Sequence, residues 1–85
     1  DPNFVVSEIA VGVLEGDEVR PVKLIVPRAD YSQGGWPVEN ATDGDTKTGW
    51  AVSPRQREPH VAIFDFAEAI DTERDVTLRV TLTQN

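Results

Sequence analysis

The sequence predicts an all-β fold, an antiparallel sandwich or barrel, on three observations. Val76-Thr77-Leu78-Arg79-Val80-Thr81-Leu82-Thr83 alternates apolar and polar residues without a break, the period of a strand with one buried face. Other short runs rich in β-branched and aromatic residues are separated by turns built from Gly, Pro and Asp. A helical apolar period is nearly absent.

Each element follows from its residues. Phe4 to Val13 reads as a first strand, with Ile9, Val11 and Val13 on one face and Glu8 and Ala10 on the other. Glu15-Gly16-Asp17-Glu18 is a hairpin turn leading to a second strand, Val22 to Val26, whose flanking Pro21 and Pro27 suit strand ends or an edge. Ser32-Gln33-Gly34-Gly35 and Asp43-Gly44-Asp45 break the middle of the chain into loops, and Trp50-Ala51-Val52 is a short strand. Ser53 to Pro59, carrying Arg55 and Arg57, is a further loop. Val61 to Phe66 begins apolar on both faces, which predicts a central strand. Ala67 to Arg74 has room for one helical turn, too short to hold itself. The final amphipathic strand ends at Gln84-Asn85, so a closing strand is expected from a longer parent.

Eighty-five residues make one domain, 1–85, and a chain this short buries only roughly 60–65% of its unfolded surface. It holds no methionine, as expected of a segment excised from a longer precursor. Eight Lys+Arg against fifteen Asp+Glu give a net charge of −7. Such a chain repels nucleic acid and anionic membrane surfaces alike. No apolar run approaches the ~18 residues that a spanning helix needs. Without cysteine there is no disulfide framework, thiolate metal site or thiol nucleophile.

Catalytic groupings are scarce. The single histidine, His60, lies just before a strand with no serine nucleophile motif, and Gly34-Gly35 leads into Trp36-Pro37 rather than a phosphate-binding helix. The predicted chain is therefore not itself an enzyme. Tyr31 and Trp36 fall in loops where a sugar ring could stack, whereas Trp50 heads a strand and belongs to the core. Arg55, Arg57 and His60 supply donors for hydroxyls, carboxylates or sulfates, or form a merely solvated cluster. In Asn40-Ala41-Thr42-Asp43-Gly44-Asp45-Thr46-Lys47-Thr48-Gly49-Trp50, hard oxygen donors sit on a tight bend, which is either a Ca²⁺ loop or a plain Asp-Gly turn. It is no EF-hand: counted from Asp43, the fifth position is Lys47 and the twelfth is Pro54. Asn40-Ala41-Thr42 also fits the N-x-T glycosylation pattern.

Several runs taken together resemble a known group. These are Arg28-Ala29-Asp30-Tyr31-Ser32-Gln33, Gly35-Trp36-Pro37-Val38, Ala41-Thr42-Asp43-Gly44-Asp45 and Thr48-Gly49-Trp50-Ala51-Val52, with Asn3 to Ile9 and His60 to Phe64 around them. The pattern is similar to the β-sandwich domain of planctomycete cytochrome-c-like, PSD1-type multidomain proteins. That domain is in turn similar to the discoidin (coagulation factor 5/8 type C) and galactose-binding-like jelly rolls. The resemblance implies a jelly-roll sandwich that lacks its last strand, leaving Phe4 to Val13 with an unpaired edge, and a carbohydrate- or polymer-binding module of a larger secreted or cell-envelope bacterial protein. It also implies a structural Ca²⁺, with Asp43 offering its carboxylate, Asn40 and Asp45 mainly backbone carbonyls, and Thr48 its carbonyl or hydroxyl. Glycan contact would fall to Tyr31, Trp36, Arg55, Arg57 and His60. The competing expectation is a structural spacer that docks neighbouring domains of the parent chain through the same surface.

Overall fold

The first strand organises the chain. The computed structural model describes residues 4–70 and 75–84 and assigns β1 Val5–Glu15, β2 Glu18–Val22, β3 Leu24–Ala29, β4 Trp50–Ala51, β5 Ala62–Phe66 and β6 Leu78–Gln84, with one 3₁₀ turn at Val38–Thr42. All strand pairing is antiparallel, in a four-stranded sheet around β1 and a two-stranded sheet of β3 and β5. β6 runs beside β1 from Val6 to Val13. β2 pairs with Val11 to Glu15 and β4 with Val5 and Val6, so these two share the opposite edge of β1. Gly16, at φ 62°, makes the two-residue turn that pairs Glu15 with Glu18.

An irregularity in β1 solves a problem of parity. Val6 and Ile9 are three residues apart, so in a regular strand they would face opposite sides of the sheet. The register against β6 shifts between Val6 and Glu8, and the extra residue turns both Val6 and Ile9 to the core. That residue is Ser7, fully buried, whose hydroxyl donates to the Thr83 carbonyl at 3.1 Å. β3 carries a second irregularity between Ile25 and Arg28. Val26 sits there at φ 50°, a left-handed conformation that costs a β-branched residue about 1–2 kcal/mol.

The core lies toward the β4 end of β1. Val6, Val38, Ala41, Trp50 and Val52 form its buried centre, with Phe4, Ile9, Ala29, Tyr31, Ala62 and Phe64 packed around it. Both sheets therefore contribute to one core. Beyond it, β2 and β6 run on largely in solvent, and the molecule measures 43 × 21 × 20 Å.

The all-β class stands, and five sequence expectations change. Glu18–Val22 is a strand of its own, although its polar residues and Pro21 hide it; Pro21 lies opposite Gly12 on an edge strand, where a missing N–H is tolerated. β1 is paired along both edges rather than left open, and among the described residues β6 pairs on its β1 side only. β5 pairs with β3 alone among the described residues and is no central strand: Val61 and Ile63 are 59% and 52% exposed. The alternation in β6 gives no buried face either, since Val80 and Leu82 are 62% and 59% exposed. Residues 67–70 form no helical turn, and the rest of the expected Ala67–Arg74 turn lies outside the described residues.

Candidate functional site

Two clusters gather the polar residues that the sequence singles out. The first forms where the chain leaves β3. The Asp30 backbone N–H donates to the Val61 carbonyl at 3.0 Å, extending the β3–β5 pairing by one residue. The Asp30 carboxylate then accepts from the Val61 N–H at 3.2 Å and lies 3.1 Å from His60 Nδ1. On the other side of the ring, His60 Nε2 is 2.6 Å from the Arg55 carbonyl. That carbonyl also closes the Arg55–Glu58 turn, accepting from the Glu58 N–H at 3.1 Å.

Tyr31 is fixed from several directions. Its carbonyl accepts from the Trp50 indole N–H at 3.0 Å, and its hydroxyl donates to the Ser53 carbonyl at 3.4 Å. Arg55 lays its guanidinium 4.6 Å from the centre of the Tyr31 ring, and the His60 ring lies 6.3 Å away at 34°. One face of the phenol is thus already occupied by a cation. Arg55, Arg57, Pro54, Gln56 and Glu58 line an open depression of about 410 Å³. Arg55 reaches Glu58 only at 4.0 Å, with both side chains more than half exposed, so this ion pair adds little.

The charges at this cluster support one another. The Arg55 carbonyl, accepting from the ring, holds the His60 pKa above its ordinary value against the cost of burial, with Asp30 and the Glu58 charge adding to the effect. Burial pushes Asp30 upward, yet the Val61 N–H and His60 together keep its carboxyl below the usual range. His60 is no free donor for a ligand, because its side chain is only 5% exposed and both ring nitrogens are engaged. For the same reason no ring lone pair is available for general-base work.

The second cluster is the acidic bend. Thr48 donates its hydroxyl to Asp43 Oδ2 at 2.5 Å, and the Asp45 N–H donates to Asp43 Oδ1 at 2.9 Å. The Thr48 hydroxyl, first, and the Asp45 N–H hold the Asp43 pKa below its ordinary value. Asp45 Oδ1 accepts from the Lys47 N–H at 2.8 Å, and the Asp45 carbonyl lies 3.0 Å from the Thr48 hydroxyl. Asn40 donates its side-chain amide to the Gly49 carbonyl at 3.3 Å. The bend is therefore closed by its own hydrogen bonds, and among the described residues no three His, Cys, Asp or Glu side chains gather as a metal group. Glu8 on β1 lies beside it. Burial, and after it the Asp43 and Asp45 charges, push the Glu8 carboxyl up, against a hydrogen bond from the Gly44 N–H. Its Oε2 is buried without a hydrogen-bond partner.

The structure thus brings Tyr31, Arg55 and His60 into contact and places Arg57 on the same loop. Trp36 is positioned through its backbone, pairing with Gln33 across the Gly34–Gly35 turn and accepting from the Ala51 N–H at 3.3 Å. Sequence reasoning missed Asp30 and Glu8, although an acid next to Tyr31 and an acid within an otherwise apolar strand were the available signals. Among the described residues no helix is long and apolar enough to cross a membrane. Comparison with family models, curated proteins and solved structures gives no match to this chain.

Proposed function

We propose that this chain is a non-catalytic polysaccharide-binding module of a larger secreted or cell-envelope bacterial protein, built as a discoidin-like, galactose-binding-like sandwich. The observation that carries the reading is the pairing of Arg55 with the Tyr31 ring beside the exposed Arg57, on a loop fastened to the strand scaffold. A stacked arginine and its neighbour present planar donors at low entropic cost, which suits the hydroxyls, carboxylates or sulfates of a glycan. Affinity electrophoresis through gels containing neutral or sulfated polysaccharides tests this. The chain is expected to be retarded by at least one of them, and the Arg55→Ala/Arg57→Ala variant to run unretarded. Equal mobility of the two proteins in every gel removes the reading.

A second reading, docking against neighbouring domains of the parent, is favoured by one observation. Ile63, Phe66, Leu78, Val80 and Leu82 leave apolar surface exposed on β5 and β6. Failure of every gel in the first test leaves this one standing.

Calcium belongs to the proposal as a structural ion at the acidic bend, where Asn40, Asp43, Asp45 and Thr48 would hold it. The unpartnered Glu8 oxygen beside Asp43 and Asp45 is what supports a cation there. The raised Glu8 pKa means that protonated Glu8 favours the folded chain. That contribution is complete below the unfolded value, about 4.3, and is lost as pH rises through the folded value. Glu8→Gln is therefore expected to raise the thermal midpoint at pH 7 in chelator, with the difference vanishing below about pH 4. Added calcium is expected to raise the wild-type midpoint and to raise that of Glu8→Gln less. A wild-type midpoint unmoved by millimolar calcium ends the metal proposal, whatever the variant does in chelator.

A further inference from the structure

The same histidine that is closed to ligand has a different use. We propose that His60 is held as an imidazolium that pins the 53–59 loop to the end of β3, so that the placement of Arg55 over Tyr31 depends on protonation of a single ring. The binding part of this inference rests on the proposed function; the pin itself does not.

The Arg55 carbonyl, 2.6 Å from Nε2, has no proton to give, so Nε2 must carry one. The Asp30 oxygens, 3.1 and 3.3 Å from Nδ1, belong to an ionised carboxylate, so Nδ1 must carry one too. Only the imidazolium satisfies both contacts. In the neutral ring, whichever nitrogen loses its proton points a lone pair at an oxygen, and that contact turns repulsive.

The groups around the ring come from every element packed on it. Asp30 faces it from the end of β3; the Arg55 carbonyl and the Glu58 charge face it from the loop, and Tyr31 lies alongside. The Arg55 guanidinium, the one cation that this set brings close, is turned onto the Tyr31 ring. Releasing the ring from the Arg55 carbonyl frees the turn that the carbonyl closes with Glu58, and with it the residue whose side chain lies on Tyr31. The direction follows. His60 stabilises the pinned loop fully below the ordinary imidazole pKa of about 6.5, and the pin is lost as pH rises through the higher folded value. Asp30 sets the acid limit, since its contribution is lost as pH falls through its lowered value.

A pH titration of the intact chain by NMR, without ligand, tests this. The His60 ring nitrogens are expected to report two N–H groups at pH 6 and to titrate with a midpoint above that of a free imidazole. The Tyr31 ring and Arg55 side-chain signals are expected to move with the same midpoint. Asp30→Asn keeps an acceptor but removes the charge, and is expected to lower that midpoint while the loop still closes in acid. A neutral single tautomer at pH 6 overturns the proposal, as do Tyr31 and Arg55 signals that ignore the His60 titration. Retardation by polysaccharide, measured on both sides of the midpoint, is expected to weaken on the alkaline side. Should no polysaccharide bind while Tyr31 and Arg55 still follow His60, the functional reading fails and the pin stands.

Discussion

Trp50→Ala is expected to leave the chain largely unfolded. The indole is 6% exposed at the centre of the buried cluster, and its N–H satisfies the Tyr31 carbonyl at 3.0 Å. Emptying a buried tryptophan site costs about 3–5 kcal/mol, and the stranded carbonyl adds about 1–3 kcal/mol. A domain of this size has about 4–13 kcal/mol in total, so the loss is of the same order as what is available. Trp50→Phe keeps most of the packing and drops the donor, so its urea midpoint is expected between wild type and the alanine variant. Trp36→Ala is the control, because Trp36 is only partly buried and lies outside the core cluster. Unfolding curves for Trp50→Ala that overlay those of Trp36→Ala would place the core elsewhere.

Gly49→Ala is the second large effect. A methyl group on Gly49 would collide with Val5 Cγ1, and it would sit 3.0 Å from the Val6 carbonyl oxygen and 3.3 Å from the Ser7 Cα. Overpacking of this kind costs about 1–3 kcal/mol. The collision falls where β4 begins to pair with β1, so the strand that positions Trp50 and Ala51 would shift. Adding Val5→Ala removes the side-chain collision but leaves the backbone contacts. The double variant is therefore expected to recover only part of the lost stability in denaturant unfolding. Complete recovery would show that Val5 alone sets the space around Gly49.

Much of the fold is legible in single residues. The period of two in β6, the Gly16 turn and the isolated Trp50-Ala51-Val52 each encode their element locally. What hides is decided between elements. Glu18–Val22 has a composition that argues against a strand, yet its backbone finds the free edge of β1. The alternation of β6 promises a wet face and a dry face, but only tertiary packing could supply the dry one, and among the described residues none covers Val80 or Leu82. The odd spacing of Val6 and Ile9 is readable in retrospect, because two core positions three apart in a strand call for a bulge.

The candidate site is similarly half visible. Tyr31, Arg55 and His60 are the residue types expected of a recognition surface, and they do meet. Their roles depend on partners distant in sequence: Asp30 and the Arg55 carbonyl convert His60 from a surface donor into a fastening. The acidic bend shows the same limit. Its residues suit a cation and also suit one another, and Glu8, which arrives from β1, is visible only once the strands are placed.

The proposed glycan site is the exposed loop face of Arg55 and Arg57. Mapping amide and side-chain chemical shifts of the chain during titration with neutral and sulfated oligosaccharides tests this directly. Changes concentrated at Tyr31, Arg55 and Arg57, with β2 and β6 silent, are the predicted result. Changes confined to the apolar residues of β5 and β6, or none at saturating concentrations of either ligand, would contradict it.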